Sequence, residues 1–316
     1  MEKKDLKIVF FGTPEFAVES LDALIKNNFN IVGVVTMPDK IAGRGHKLYQ
    51  SDVKRYAVDN NLHLLQPDKL KSEEFIENLR SLNADLFIVI AFRMLPREVW
   101  QMPRLGTFNL HASLLPKYRG AAPINRAVMN GDTETGVTTF FLKHEIDTGD
   151  MIMQRKIEIL PNENVGDIHD KLMHLGAHMV VETVNAIIDG TLTTTPQPEG
   201  EFTPAPKIFK EDCQIEWSKS ATDVHNHVRG LSPYPAAWTV IVEDSGRPLE
   251  CKVFTTKLTD KNVGDIPIGK ITIDGKRLLV AASDKWLEII ELQPAGKKRM
   301  AAESFLLGYH PSHIQL

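Results

Sequence analysis

The chain has 316 residues, of which 42% are hydrophobic and 25% are charged, and its formal net charge is −4. This length predicts two domains, and this composition excludes a disordered, fibrous or coiled-coil protein. The slightly acidic balance excludes a uniformly basic nucleic-acid binder, although a local basic patch is compatible with it.

Strand and helix signals alternate along the first third of the chain. A continuous apolar run at residues 7–11 predicts a strand buried on both faces. Apolar residues at helical spacing predict a helix over residues 16–26, with Thr13 as its cap and Pro14 at its first position. Further apolar runs predict strands at residues 31–36, 86–92 and 106–111. This rhythm is typical of the α/β class with a Rossmann-like, doubly wound, mainly parallel sheet.

Two more strands and a long helix follow. Residues 137–142 and 151–157 have the pattern of two strands joined by a loop, and residues 167–189 that of an amphipathic helix ending at Gly190. Four prolines between positions 196 and 206 then indicate an extended linker. We therefore expect a first domain over residues 1–189 and a linker over residues 190–207.

Beyond the linker, short β segments replace the α/β alternation. One helix is predicted over residues 221–229. Strands are predicted over residues 237–242, 251–257, 270–273, 277–281 and 286–292. Turn signals at Ser245-Gly246 and Asp274-Gly275 separate some of them. The pattern is typical of a small antiparallel sheet or barrel, expected here as a second domain over residues 208–316.

The two cysteines, Cys213 and Cys251, are too few for a disulfide framework or a four-cysteine zinc site. They are typical of buried thiols in a reducing compartment. No apolar run approaches the roughly 20 residues that cross a bilayer. We therefore expect a cytoplasmic protein without a membrane partner.

The first strand-to-helix turn, Gly12-Thr13-Pro14, stands where a dinucleotide-binding fold carries a Gly-x-Gly-x-x-Gly loop. It has a single glycine, and Pro14 lacks the backbone N–H that a pyrophosphate needs. His174 and His178 are four residues apart, but they supply only two metal ligands. We therefore expect neither NAD nor a metal ion.

Polar side chains at the end of the strand at residues 106–111 indicate a ligand site. Asn109 and His111 alternate with apolar residues, so both point to the same side of the strand. Open α/β sheets bind ligands at the carboxyl ends of their strands. A polar strand end with a hydrogen-bonded histidine is the alternative interpretation. Asp147 lies in the loop between the two later strands, where Asp-Thr-Gly by itself indicates only a turn.

Several stretches of the sequence resemble the folate-dependent formyltransferase family. They are residues 11–18 (FGTPEFAV), 38–40 (PDK), 42–45 (AGRG), 109–124 (NLHASLLPKYRGAAPI), 147–150 (DTGD), 228–238 (VRGLSPYPAAW) and 292–300 (LQPAGKKRM). They span nearly the whole chain in the family's order. The Asn-x-His, Ser-Leu-Leu-Pro and Asp-Thr-Gly motifs are specific to this family as a group.

The resemblance implies both a fold and a reaction. It implies a Rossmann-like domain followed by a small OB-like β-barrel domain, with Asn109, His111 and Asp147 as catalytic residues. The segment expected to bind the folate is Ser113, Leu114, Leu115 and Pro116. The formyl donor is then 10-formyltetrahydrofolate, and the acceptor is the amino group of methionine on initiator tRNA, a step of translation initiation.

A basic loop bears on which molecule accepts the formyl group. Residues 36–55 carry five basic and two acidic side chains, for which a solvated surface loop is the plain interpretation. The resemblance implies instead that the loop binds the tRNA backbone, because glycines around a basic residue suit a loop that orders on phosphates. The expected tRNA-binding residues are Lys40, Arg44, Lys47 and Lys207. We expect the protein to act as a monomer.

Two other functions remain open at this point. A folate formyltransferase acting on a glycinamide ribonucleotide or an amino sugar would share the three catalytic residues, but the C-terminal β domain and the basic loop favour the tRNA acceptor. A non-catalytic RNA-binding protein on the same scaffold is disfavoured, because RNA binding does not require Asn109, His111 and Asp147.

Overall fold

The computed structural model describes residues 2–42, 47–198, 200 and 202–316. Over the described residues the chain divides into two compact units. The first comprises Met1–Gly120, Gly136–Ile157 and His169–Pro204, and the second comprises Ala121–Thr135, Glu158–Ile168 and Ala205–Leu316. Two segments that precede the predicted linker are therefore grouped with the C-terminal part of the chain. The domain boundaries 1–189, 190–207 and 208–316 stay a prediction.

The first 189 residues alternate between strands and helices. In chain order the elements are β1 (Lys7–Gly12), α1 (Glu15–Lys26), β2 (Asn30–Val35), β3 (Lys40–Ala42), β4 (Lys47–Tyr49), α2 (Asp52–Asp59), β5 (Leu64–Leu65), α3 (Glu73–Ser81), β6 (Leu86–Ile90), α4 (Arg97–Trp100), β7 (Thr107–His111), β8 (Arg119–Gly120), α5 (Pro123–Met129), β9 (Glu134–Phe141), β10 (Met151–Glu158) and α6 (Val165–Asp189).

Seven of these strands form one sheet in the order β10-β9-β7-β6-β1-β2-β5. Strand β1 pairs in parallel with β2 and β6, and β6 pairs in parallel with β7. Strand β9 runs antiparallel to β7. All five residues of β6 are buried, as a continuous apolar run predicts for a strand covered on both faces. The mainly parallel, Rossmann-like sheet predicted from the sequence is confirmed.

The start of helix α1 differs from the prediction. Its N-cap is Pro14, with no side-chain hydrogen bond, and the buried hydroxyl of Thr13 has no partner among the described residues. The prediction of Thr13 as the cap is therefore wrong, because the helix begins one residue later and Thr13 lies outside the capping position. The end of α6 is confirmed, since Gly190 follows Asp189 with φ +68°.

Several short elements escaped the sequence analysis. Among them are the β3–β4 hairpin and the helices α2, α3, α4, α5 and α8. Helix α2 had a readable start signal, because the Ser51 hydroxyl accepts a hydrogen bond from the backbone N–H of Lys54 at 3.0 Å. Its eight residues bury only Val53 and Ala57, which is too little apolar periodicity to detect.

The C-terminal part of the chain is mostly β. Its elements are β11 (Pro204–Ala205), a 3₁₀ turn (Glu211–Cys213), α7 (Ala221–Leu231), β12 (Ala237–Glu243), β13 (Pro248–Asn262), β14 (Ile271–Asp274), β15 (Arg277–Ala281), β16 (Lys285–Pro294), β17 (Met300–Ala301), α8 (Ala302–Leu306) and β18 (Pro311–Ile314).

These strands form a nearly closed antiparallel barrel. The strand order is β14-β15-β16-β13-β12-β18, and β17 pairs with β16. The two ends of this order meet, because the backbone N–H of Ile314 donates to the carbonyl of Gly269 at 2.7 Å. Trp217 and Phe305 are buried in the core, and the Trp217 indole donates to the Thr239 hydroxyl at 3.0 Å. The predicted small β-barrel is confirmed.

The two cysteines do not form a disulfide bond. Cys213 and Cys251 are free and buried, and burial raises the pKa of the Cys251 thiol to about 12. Within the described part of the chain, none of the helices has the length and apolar character needed to cross a membrane.

Candidate active site

The site begins at the carboxyl end of β7. This strand lies between the parallel strand β6 and the antiparallel strand β9, so the sheet fixes its backbone on both sides. Asn109 is paired with Phe140 of β9, and His111 is paired with Thr138. Asn109 and His111 are two residues apart, so their side chains leave the same face of the sheet, as the alternation predicted.

The His111 ring is buried and held at one edge. Its Nε2 lies 2.8 Å from the carbonyl oxygen of Tyr118, and the Phe140 ring packs edge-on at 6.5 Å between centroids. A carbonyl oxygen only accepts hydrogen bonds, so the neutral ring carries its proton on Nε2. The Nδ1 edge is therefore the edge left to meet Asp147 and a substrate.

Asp147 lies in the loop between β9 and β10. Its Oδ2 accepts a hydrogen bond from the backbone N–H of Gly120 at 3.0 Å and lies 3.9 Å from Nδ1 of His111. The side chain of Asp147 is 11% exposed and that of His111 is 8% exposed. The two groups thus form a largely desolvated pair whose attraction is strongest when the ring is protonated.

The Asp147 loop is tightly constrained. Asp147 itself has φ +54°, in the left-handed region that non-glycine residues rarely adopt. At Gly149, an added Cβ would lie 1.5 Å from the carbonyl oxygen of Phe141, which no side chain can tolerate. The sequence indicated a turn here, and the structure shows that its glycine is required by close contact with the end of β9.

Asn109, the third polar residue of the site, has an unsatisfied hydrogen-bond acceptor. Its Oδ1 is buried and has no hydrogen-bond partner among the described residues. A buried amide oxygen without a partner carries a free-energy cost of about 1–3 kcal/mol unless a ligand supplies the missing bond. The Asn109 side chain is therefore available to a bound substrate.

The segment expected to bind folate alternates between buried and partly exposed residues. Ser113 and Leu115 are buried, whereas Leu114 and Pro116 are only partly so. The Ser113 hydroxyl donates to the carbonyl of Lys117 at 2.6 Å, which closes the turn on itself. Leu114 and Pro116 are thus the members of this segment that a ligand can reach, while Ser113 and Leu115 hold its backbone.

Two residues that the sequence analysis missed support this segment. The buried Thr138 hydroxyl donates to the Ser113 carbonyl at 2.7 Å and accepts from the Leu115 N–H at 3.2 Å. Gln154 of β10 donates to the same hydroxyl at 2.9 Å and to the Leu115 carbonyl at 3.1 Å. A threonine and a glutamine in β strands carry no sequence signal for such a role, because only strand pairing brings them to this turn.

The residues predicted to bind tRNA are only partly described. Lys40 is exposed at the start of β3, and Lys207 is exposed with its ammonium 5.5 Å from the centre of the Phe209 ring. Lys47 begins β4. Arg44 lies outside the described residues. Among the described residues, no three His, Cys, Asp or Glu side chains are grouped to hold a metal ion.

Two protein-family models match this chain. Residues 6–184 match the formyl transferase family model, and residues 207–310 match the model of the formyl transferase C-terminal domain. A protein of Bacteroides fragilis named methionyl-tRNA formyltransferase is 57% identical, covering 98% of this chain and 97% of its own length. The chain belongs to the methionyl-tRNA formyltransferase family. A Flavobacterium johnsoniae protein of the same name is 51% identical over the same shares of both chains.

Solved structures of formyltransferases share the fold. The crystal structure of WlaRD, a sugar 3N-formyl transferase studied with dTDP and 5-N-formyl-THF, aligns with a TM-score of 0.67 at 20% identity. The alignment covers 93% of this chain and 99% of that one. In the first unit, the end of β7 that carries His111 lies beside the loop that carries Asp147.

Proposed function

We propose that this protein transfers the formyl group of 10-formyltetrahydrofolate to the amino group of methionine on initiator tRNA. The observation that carries the proposal is the 57% identity, over 98% of the chain, to a protein named methionyl-tRNA formyltransferase. We propose further that the protein acts as a monomer in the cytoplasm.

Asn109, His111 and Asp147 have the residue types that this reaction needs. The methionine nitrogen attacks the formyl carbon, and a tetrahedral intermediate forms with negative charge on the former carbonyl oxygen. The C–N bond to N10 of the folate then breaks. Overall the amine loses one proton and N10 gains one. No enzyme nucleophile is required, so the site needs only oxyanion stabilisation and a path for the proton.

Each residue has a role in this scheme. The Asn109 side-chain NH2 group is a donor for the developing oxyanion, while its unpaired Oδ1 can accept a hydrogen bond from the attacking amine. When its ring is protonated, His111 offers Nδ1–H as a second donor. Asp147 stabilises the charged ring across the 3.9 Å gap and accepts the amine proton directly or through a water molecule. A free α-amino group has a pKa of about 7.7–8.0, and the neighbouring ester in the aminoacyl-tRNA should lower it, which raises the unprotonated fraction of the attacking amine near neutral pH.

Binding of the two substrates is assigned to different elements. The segment Ser113, Leu114, Leu115 and Pro116 binds the folate, with Leu114 and Pro116 in contact. The basic residues Lys40, Arg44, Lys47 and Lys207 bind the tRNA backbone. Phosphate contacts of this kind make binding of tRNA, unlike binding of folate, strongly dependent on salt.

A transfer assay tests this proposal. The protein is incubated with 10-formyltetrahydrofolate and initiator tRNA charged with methionine, and formyl-methionine is sought after ester hydrolysis. The control is the Asn109→Ala/His111→Ala double variant. Product from the wild-type protein alone would support the donor, the acceptor and the site together. If no product forms while folate still binds, the acceptor is instead an amino sugar or a ribonucleotide.

A further inference from the structure

The predicted linker contains a residue whose side chain holds the Asp147 loop. Gln197 donates two hydrogen bonds from Nε2, to the carbonyl oxygen of Asp147 at 2.7 Å and to that of Gly149 at 2.9 Å. The backbones of Met151 and Thr195 pair through two further hydrogen bonds, of 2.8 and 2.9 Å. The chain just before Gln197 therefore runs alongside the end of this loop.

The oxygen of the Gln197 amide also takes part in two hydrogen bonds. This Oε1 accepts from Nε of Arg119 at 3.2 Å and from Nη2 at 2.7 Å. A guanidinium only donates and backbone carbonyls only accept, so the neighbours fix which end of the amide is nitrogen. The Arg119 guanidinium also lies over the Phe202 ring, 4.9 Å from its centre.

These contacts hold Asp147 from two sides. Its carboxylate accepts from the N–H of Gly120, and its main-chain carbonyl accepts from Gln197, which is bound in turn to Arg119 beside Gly120. A residue at φ +54° needs such support, because the left-handed conformation is unfavourable for a residue with a Cβ. Without Gln197, two carbonyls of the loop lose their donor and the loop loses its tie to Arg119.

We infer that Gln197 is a positioning residue that fixes the Asp147 backbone so that the carboxylate faces His111. The inference rests on the proposed function, since it acts through Asp147. It also gives part of the segment at 190–207 a role in catalysis, where the sequence indicated only a linker.

Two substitutions at Gln197 separate this role from simple anchoring of Arg119. Gln197→Glu keeps the acceptor for Arg119 but turns an oxygen toward the carbonyls of Asp147 and Gly149. Gln197→Met removes all these hydrogen bonds without adding repulsion. We expect kcat to fall about 100-fold in Gln197→Glu and about 10-fold in Gln197→Met, because small misplacements of catalytic groups have effects of this size.

KM and the pH–rate profile distinguish a positioning role of Gln197 from a purely structural one. KM for both substrates should stay within about threefold, and the shape of the pH–rate profile of kcat should change, because the His111–Asp147 pair is disturbed. Thr194→Ala, at an exposed position three residues earlier, is the matched control and should behave as the wild type. Thermal unfolding of each variant checks the fold.

The relative activities of Gln197→Glu and Gln197→Met distinguish the two roles. If Gln197 merely anchors Arg119, Gln197→Glu will be as active as the wild type and Gln197→Met the weaker variant, which overturns the inference. A loss confined to KM, or an unchanged pH–rate profile, overturns it as well. Asp147→Asn is assayed alongside. Near-normal turnover by that variant would refute both the proposed mechanism and this inference, whereas normal turnover by Gln197→Glu alone refutes only the inference.

Discussion

The two halves of the proposed catalytic site are held in different ways. Asn109 and His111 lie on β7, whose backbone is paired on both sides within the sheet. Asp147 lies on a loop at φ +54°, supported by Gly120 and Gln197, which are 27 and 50 residues away in the chain. The strand half is fixed by regular backbone pairing, whereas the loop half depends on a few specific contacts between distant segments. Substitutions near the loop should therefore affect catalysis more than comparable substitutions near the strand.

The largest effect should come from Gly149→Ala, which breaks the loop half. The new Cβ would lie 1.5 Å from the Phe141 carbonyl oxygen, so the loop must move and carry Asp147 away from His111. We expect turnover to fall by at least about 10³-fold, the upper part of the range for losing a positioned acid–base group, and the free energy of unfolding to fall by about 1–3 kcal/mol.

Steady-state kinetics and chemical denaturation measure these two effects. Gly308→Ala is the control, because an added Cβ there meets no atom within 4 Å. Wild-type turnover by Gly149→Ala would show that the loop tolerates displacement, and the contrast between the two halves would be lost.

Asp147→Asn tests the carboxylate without moving the loop. The amide keeps the shape of the side chain but removes the charge that faces His111 across 3.9 Å. We expect kcat to fall by about 10²–10³-fold, with KM and the thermal unfolding temperature nearly unchanged. Single-turnover rates compared with those of the wild type give the effect on the chemical step. A variant with near-normal rates would remove Asp147 from the mechanism.

Thr138→Val probes the strand half. Valine has nearly the same shape but leaves the Ser113 carbonyl and the Leu115 N–H without the Thr138 hydroxyl. We expect a loss of stability of about 1–3 kcal/mol for the unpaired buried groups. We also expect KM for the folate to rise about tenfold, with kcat changed much less, because β7 keeps its pairing.

The neighbouring Thr139→Val provides the comparison. Thr139 is also fully buried, and its hydroxyl lies 3.0 Å from that of Thr183. It points to the opposite face of β9, since successive strand residues alternate. Its substitution should therefore destabilise the fold without changing KM for the folate. Equal rises in both variants would mean that the effect comes from general loosening of the sheet.

Arg44→Ala, a substitution in the predicted tRNA-binding loop, should have the smallest effect. Loss of one phosphate contact should raise KM for tRNA about three- to tenfold at physiological salt, and it should lower the slope of log KM against log salt by somewhat less than one unit. Folate binding should not change. The tRNA titration is made at several salt concentrations, and a KM for tRNA equal to that of the wild type at each of them would exclude Arg44 from tRNA binding.

The sequence predicted the main elements of the fold because their signals are local. The apolar runs of β1 and β6, the amphipathic pattern of α6 and the turn at Asp274-Gly275 all survive as predicted. Short elements with little apolar area, such as α2, were not predicted because their apolar pattern is too weak. The Thr13 cap failed because the helix begins at Glu15, which makes Pro14 the N-cap although cap propensity favours threonine.

The amino-acid sequence is enough to predict the class of fold, the strand on which Asn109 and His111 lie, and, through its motifs, the family. These properties follow from hydrophobic periodicity and from residues that are close in the chain. What holds Asp147 and the predicted folate-binding segment depends on contacts between distant parts of the chain. The side chains of Thr138, Gln154 and Gln197 reach their partners through strand pairing and chain crossing, so their hydrogen bonds link residues that no local pattern connects.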